Sequence, residues 1–495
     1  MKDLAIPVNT ARPWAERHFG GAALSDVRRV DRVQAIAEVM AARPGKSLPQ
    51  LFAHRYDMKA AYHLFQLAEA TPDNLHVGHR QAVLEALEQP GVYLLLEDTS
   101  ELSWAGHLPI SGLGPVGASK DGQQGFLLHS VLALSWKRPP PTAPSAKRLP
   151  VEVLGLADQQ YHVRQPRPAG ERSQDHWRRK GRRRESELWW QASRRIGTAP
   201  HSAAVRWVRV ADRGADIYEF LSSCQQAGQS FVVRAAQNRA LIDPLTGKSA
   251  GHLFEVVRQQ PELGRLTLQL RARPGQPARM AQLRVSAVGV QLRAPRRPGP
   301  AAGPRPPIAC SAVRVWEEQA PTAVKPLEWI LLCDQPVASF ESGWEVALQY
   351  SARWLLEEFH KALKTGLGAE RLQLKKAHQL FAAIAVMSVV ALRLIELREQ
   401  LRLDPQAPVA NSGLERLQLE VLALATRRRL RTVGEVALAI GRLGGHLNRK
   451  GDGLPGWITL WRGMSQLNAL VEGARLASQL KQLKRRSSFT LTKFG

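Results

Sequence analysis

Cysteine is scarce in this 495-residue chain. Cys224, Cys310 and Cys333 are odd in number and far apart, which excludes a disulfide framework and a Cys-ligated zinc site and leaves buried free thiols. Long apolar runs are also missing. The longest, Leu380 to Leu392, falls short of the ~20 residues a membrane span requires, so it reads as a buried helix and no membrane partner is expected. The opening Met1-Lys2-Asp3-Leu4 lacks the charged and apolar regions of a secretory signal, so the protein is expected to stay inside the cell. Acidic residues are outnumbered, with 43 Asp and Glu against 69 Lys and Arg and a net charge of +26. Hydrophobic residues, at 44%, are ample for folding, and the chain is too long for one core, so two to four domains are expected. A foldable chain with this basic excess points to a polyanionic partner, nucleic acid first.

The first eighty residues read as helical. After Ser25-Asp26, the residues Val30, Val33, Ile36, Val39 and Met40 recur at helical spacing with Arg28, Arg29 and Arg32 nearby, until Pro44-Gly45 stops the helix. A second short helix carries Lys59, Tyr62, His63 and Phe65. This region is either a small DNA-binding module or a plain helical subdomain. From Val92 the texture turns to strands: Val92 to Asp98, Glu101 to Trp104 and Gly125 to Ser135, the first a continuous apolar run of the kind buried on both faces. Gly112 to Gly117 matches a dinucleotide-binding G-x-G-x-x-G by letter, but Pro115 lies inside it and Asp121-Gly122 and a strand follow. It reads as a hairpin loop. Positions 136 to 148 are Pro-rich, and a basic run, Arg172, Arg178, Arg179, Lys180, Arg182, Arg183 and Arg184, leads into a helix from Glu185 to Ile196. That run is either solvated surface or a phosphate contact.

Val205 to Val210 and Phe231 to Arg234 are further strands, with a helix between them through Tyr218 and Leu221 to Cys224. Residues 236 to 326 then read as a β-rich insertion around a low-complexity Pro/Gly/Arg stretch at 293 to 307, before Trp329 to Cys333 resumes the core. The rest, from about Leu380, is mainly helical, with basic clusters at Arg427 to Arg429 and Lys484 to Arg486. The resulting organisation is 1–80 helical, 81–235 core, 236–326 insertion, 327–372 core, and 373–495 helical, the last expected to serve dimerisation and DNA contact.

Residues 350 to 364 carry the chemistry. On a helix at about 100° per residue, Tyr350, Arg353, Glu357 and Lys364 lie within roughly 60° of one another, Lys361 joins them, and Glu358 does not. A carboxylate among cations suits metal-dependent phosphoryl transfer, the acid holding a divalent cation and the bases gripping phosphates. The plain alternative is an amphipathic helix with an i,i+4 Arg353–Glu357 pair. An acid ending the first strand, another ending a later strand and a third on a helix after the sheet indicate an α/β, RNase H-like core. Bridging carboxylates from different elements hold two cations about 3.5–4 Å apart, and magnesium takes oxygen ligands. Spacing leaves open whether Glu97 or Asp98 serves, since they face opposite sides of a strand. It also leaves open Asp212 or Asp216, the latter more simply a helix N-cap.

Four motifs resemble those of bacterial cut-and-paste DDE transposases of the insertion-sequence-four type, the group with a Tyr-Arg-Glu-Lys signature. Glu97-Asp98-Thr99-Ser100-Glu101-Leu102-Ser103 is similar to the first-aspartate motif and Ala211-Asp212-Arg213-Gly214-Ala215-Asp216-Ile217 to the second. Tyr350-x2-Arg353-x3-Glu357-x6-Lys364 is similar to the third, with Phe359-His360-Lys361 and Lys364-Thr365-Gly366 continuing the likeness. Ala22 to Arg29 and Lys59-Ala60-Ala61-Tyr62 resemble the end-binding domain, so the resemblance spans most of the chain.

The resemblance implies Asp98, Asp212 and Glu357 as catalytic ligands of two Mg2+ ions, with Mn2+ able to substitute. It implies DNA contacts from Tyr350, Arg353, Lys361 and Lys364, from Arg28, Arg29, Lys59 and Tyr62, and from Trp329 stacking on a flipped base. It further implies binding to terminal inverted repeats and target DNA, hairpin ends, a homodimer paired through the helical C-terminal region, and a bacterial cytoplasmic, nucleoid-associated protein. His63 departs from the Arg that relatives often carry, and no role transfers to the basic run. The rivals are a catalytically inactive transposase-derived DNA-binding protein or inhibitor and a nuclease without strand transfer.

Overall fold

The computed structural model describes residues 11–52, 54–104, 109–117, 123–137, 151–165, 184–270, 278–295, 305–322, 324–449 and 452–486. The basic run from Arg172 to Arg183, the Asp121-Gly122 hairpin tip and positions 138–148 and 296–304 lie outside the described residues. Two compact units divide the chain: Arg80–His360, and the flanking segments Met1–His79 with Lys361–Gly495. The two helical regions that the sequence separates at the chain's ends thus fall largely in one unit.

Unit Arg80–His360 is built on one mixed sheet. Its strands are β1 (Gly91–Trp104), β2 (Gly114–Pro115), β3 (Gln124–Trp136), β4 (Glu152–His162), β5 (Val205–Ala211), β6 (Ser230–Arg234), β7 (Ala240–Ile242), β8 (Ser249–His252), β9 (Gly264–Leu270), β10 (Arg279–Leu292), β11 (Ile308–Glu317) and β12 (Glu328–Cys333). The order across the sheet is β2-β3-β1-β5-β6-β12-β11-β10-β7-β8, with β4 also on β3 and β9 also on β10. β1 is antiparallel to β3 and parallel to β5, and β5 is parallel to β6. The parallel step is made by the helices between these strands, Glu187–Ile196 before β5 and Tyr218–Gln226 after it.

The run Tyr93 to Glu97 is buried without interruption, as a strand covered on both faces must be. One face, carrying Tyr93 and Leu95, packs with Trp207, Ala192 and Ile196 and with Val83 and Leu87. Where the sequence suggests two strands, Val92 to Asp98 and Glu101 to Trp104, β1 is continuous because β3 pairs with it from Val92 to Trp104. The β-rich stretch is joined to the core edge to edge. β12 pairs with β6 through Leu331, Leu332 and Cys333 and with β11 on its other side, so both edges of β12 are satisfied and the sheet runs on into β10.

In the other unit, the Val27–Ala42 helix begins at Asp26, whose side chain accepts the Arg28 N–H, and buries Val33, Ile36, Ala37 and Met40. It stops before Gly45, at φ +79°, where an added Cβ would lie 2.7 Å from the Gly366 carbonyl oxygen. The Arg55–Gln66 helix buries Ala61, Leu64 and Phe65, which leaves Lys59 exposed and Tyr62 half-buried. The Ala377–Leu403 helix is long and apolar enough to cross a membrane by length and composition, but 83% of its most apolar window is buried within the protein. A helix apolar on every side is what a central core position demands.

His18 and His79 meet Nδ1 to Nδ1 at 2.7 Å in this unit, so one ring donates and the other accepts, and both are neutral. Burial, with Arg17, Arg393 and His76 adding repulsion, holds His18 down at about 3, and burial, with His18, His76 and Arg17 adding repulsion, holds His79 well below the ordinary value. Both folded values lie below the unfolded one, so this contribution to stability is complete above pH 6.5 and is lost as pH falls. A drop from pH 7 to pH 4 is expected to remove roughly 3 kcal/mol through His18 alone, at ~1.36 kcal/mol per pKa unit. Denaturant unfolding of the parent and of His18→Leu/His79→Leu checks this, since the doubly substituted chain should lose most of that pH dependence.

Candidate functional site

Strand alternation resolves the choice between Glu97 and Asp98. Glu97 points to the face covered by the Glu187–Ile196 helix and is fully buried. Its carboxylate meets His129 Nε2 at 2.8 Å and pairs with the Arg209 guanidinium. His129 packs edge-on against Trp189, and its Nδ1 lies 2.7 Å from the Thr99 hydroxyl. Glu97 is therefore committed to the core. Asp98 points to the opposite face, where its Oδ2 accepts from Arg353 at 2.7 Å and its Oδ1 accepts the Thr99 N–H at 2.8 Å.

Asp212 ends β5 and caps a short 3-10 turn, Arg213–Ala215, accepting the Gly214 N–H at 2.7 Å. Asp216 does not cap the following helix, whose N-cap is Ile217. It is buried, and its carboxylate accepts the N–H groups of Ala236 and Gln237 and the Arg239 guanidinium at 2.7–2.9 Å. Those bonds pin the chain leaving β6 and commit the buried Asp216 carboxylate to that role.

The stretch from Tyr350 to Lys364 is not the single α-helix that its spacing suggests. The Phe340–Ser351 helix ends, and a tight turn follows in which Arg353 N bonds Tyr350 O at 3.1 Å and Leu355 N and Leu356 N bond Ala352 O and Arg353 O at 2.9 Å. An α-helix, Trp354–Lys361, and a π-helical turn, Ala362–Gly366, come next. Bonds to the third residue back tighten the chain at Arg353 and break the continuous stripe. The i,i+4 pair between Arg353 and Glu357 nevertheless forms, so Arg353 bridges Asp98 and Glu357. Tyr350 is buried and stands edge-to-face with half-buried Trp329, ring centroids 5.3 Å apart. Lys361 and Lys364 belong to the other unit, where Lys361 is exposed and Lys364 pairs with Glu370 at 3.3 Å. There too, Arg28 is exposed and paired with Asp26, and Arg29 is held by Glu69 and Ser25.

The electrostatics link the three acids. Burial and then the charge of Asp212 push Asp98 up to about 6, with Glu357 adding to the rise, against Arg353 and the Thr99 N–H. Burial opposes the charge on Arg353, yet Asp98, Tyr350 and Glu357 hold its pKa above the ordinary value. Carboxylates from β1 and from a helix after the sheet thus share a single guanidinium, and Asp98 also feels the charge of Asp212 at the end of β5. The donor set, oxygen only and overcharged with acids, fits a hard divalent cation. As the side chains stand, Arg353 supplies the counter-charge. Among the described residues no group of three His, Cys, Asp or Glu is gathered closely enough to hold a metal ion.

Sequence reasoning misses Thr99, His129 and Arg209. The signal for Arg209 was present, a cation inside the apolar strand Val205–Ala211, which requires a buried partner.

Two family models match near the ends of the chain. One, described as transposase DNA-binding, matches residues 11–70, and the other, described as the transposase Tn5 dimerisation domain, matches residues 421–483. The first span contains Arg28, Arg29, Lys59 and Tyr62. Together the matches support a transposase, with DNA binding and homodimer formation.

Proposed function

We propose that the chain is a cut-and-paste DDE transposase of the insertion-sequence-four, Tyr-Arg-Glu-Lys type, whose Asp98, Asp212 and Glu357 serve hydrolysis at element ends and strand transfer into target DNA. The observation that carries this reading is that Arg353 bridges Asp98 and Glu357, acids far apart in sequence, while burial and then the charge of Asp212 raise Asp98 to about 6. The strand order β4-β3-β1-β5-β6, with the first three antiparallel and the last two parallel to β1, supports an RNase H-like core.

Asp98, Asp212 and Glu357 would hold the divalent cations, Mg2+ or Mn2+ in its place. Bound there, such ions activate an attacking oxygen and stabilise the departing one. Arg353, freed from the acids, is placed to grip a phosphate through its planar fork. In this reading Tyr350, Lys361 and Lys364 add contacts near the cleaved bond, and Trp329 offers a face for an extruded base once it parts from Tyr350. The 3′-OH released by the first cut then attacks the opposite strand and closes a hairpin end, water reopens the hairpin, and the regenerated 3′-OH attacks a phosphodiester of target DNA. Asp98, Asp212 and Glu357 act by positioning, so no covalent protein–DNA bond is formed.

A precleaved element end with a free 3′-OH, mixed with target plasmid and Mg2+, tests the reading. A transposase joins the two. Degradation without joining would reassign the chain to the nucleases, and binding alone to inactive DNA-binding relatives.

A further inference from the structure

The Arg416–Thr426 helix ends at Arg427, which adopts the left-handed conformation at φ 53° and returns its N–H to the carbonyls of Ala423 and Leu424. Arg428 N bonds Ala423 O at 3.1 Å. This closing turn projects three consecutive arginines past the helix end. Arg442 comes from the last turn of the neighbouring Val433–Leu443 helix. Thr426, Arg427, Arg428, Arg429 and Arg442 line an open concavity of ≈ 510 Å³, and all four arginines are exposed.

Several other arginines of the same unit are engaged. Arg416 pairs with Glu420, Arg475 with Glu415, and Arg402 donates to the carbonyls of Leu454 and Pro455. Among the described residues the four that line the concavity have no side-chain hydrogen bond or ion pair. A helix C-terminus is stabilised by one or two nearby cations within its last turn. Four around one hollow repel one another without further gain, and Arg429 lies beyond the turn.

We propose that this concavity binds the sugar-phosphate backbone of double-stranded DNA, at a site separate from the catalytic acids and from the span matched at residues 11–70. The surrounding match is to a dimerisation domain, but four exposed arginines around one hollow call for a polyanion, and a second copy meeting the hollow on a two-fold axis would bring four further arginines toward these four. A polyanion relieves the repulsion, and guanidinium forks suit phosphate oxygens. Such contacts position a duplex without reading its bases, so the site serves any sequence, as target DNA requires.

The inference rests on DNA as the partner, and the test separates the two. In the full-length chain, Arg428→Gln/Arg429→Gln/Arg442→Gln leaves Arg427 in place for its backbone role. Fluorescence anisotropy with a labelled duplex of scrambled sequence is measured across a salt series. The triple variant is expected to bind roughly 100-fold more weakly at 0.1 M salt, with the slope of log K against log salt shallower by about 0.9 for each phosphate no longer neutralised. The triple lysine variant should keep the parent slope, which separates charge from misfolding. Equal affinity and slope in parent and glutamine variant would overturn the inference. A lysine variant as weak as the glutamine one, a loss confined to duplex RNA, or a loss of self-association with DNA binding intact would do the same. Failure of the parent itself to bind any duplex would instead remove DNA as the partner.

Discussion

Asp98→Asn, Asp212→Ala and Glu357→Gln are each expected to abolish divalent-cation-dependent cleavage of end-bearing DNA, by roughly 10³-fold or more, with duplex binding retained. The size follows from electrostatics: a cation at the reacting phosphate contributes several kcal/mol to the barrier, and each ~1.36 kcal/mol is tenfold in rate. The three acids act as a unit, so pairing two substitutions should cost little beyond either alone. Undiminished cleavage in any one variant would take that residue out of the mechanism.

Asp98→Asn carries a second signature that a merely structural acid would not. Its carboxyl sits at about 6 because burial and Asp212 oppose its charge, so above pH 6 the charged form weakens the fold relative to a neutral one. In EDTA at pH 7.5 the asparagine variant should melt above the parent. The gain comes to about 3 kcal/mol at most, from roughly two pKa units at ~1.36 kcal/mol each. It should fade as pH falls from 6 toward 4, where the parent takes up its proton. An inactive variant that is more stable than its parent is the expected mark of a site held under strain for function.

What was legible in the sequence follows from how each element is stabilised. The apolar run before Asp98 announces β1 because burial on both faces needs nothing but hydrophobic side chains. β4 does not announce itself. Its centre is Asp158, Gln159 and Gln160, all buried and held by partners distant in sequence, Asp158 by Arg195 and Gln160 by the Leu188 carbonyl. No local pattern reveals such bonds. The Arg353–Glu357 pair was visible as spacing, whereas the tight turn beneath it was not, since Ala352 and Arg353 are both ordinary helix formers. Whether Glu97 or Asp98 faces the site depends on which face the Glu187–Ile196 helix covers, a tertiary fact.

Glu97 and Arg209 also set the scale for the largest stability effect. Both side chains are fully buried and paired. Arg209 also donates to Gln229 at 3.0 Å, and its guanidinium lies over Phe220, 5.5 Å from the ring centre. Removing one partner leaves the other charge buried in an apolar layer, so Arg209→Met and Glu97→Leu should each cost about 3–5 kcal/mol. The double variant Glu97→Leu/Arg209→Met buries no charge and should recover much of that loss, which makes the coupling energy of the cycle the decisive quantity. Denaturant unfolding measures it. Single losses below about 1 kcal/mol would mean that water reaches the pair and that it does not brace β1. Asp98 follows Glu97 on that strand, so a double variant that folds yet cleaves poorly would show the buried pair acting through strand position, because neither side chain faces the acids.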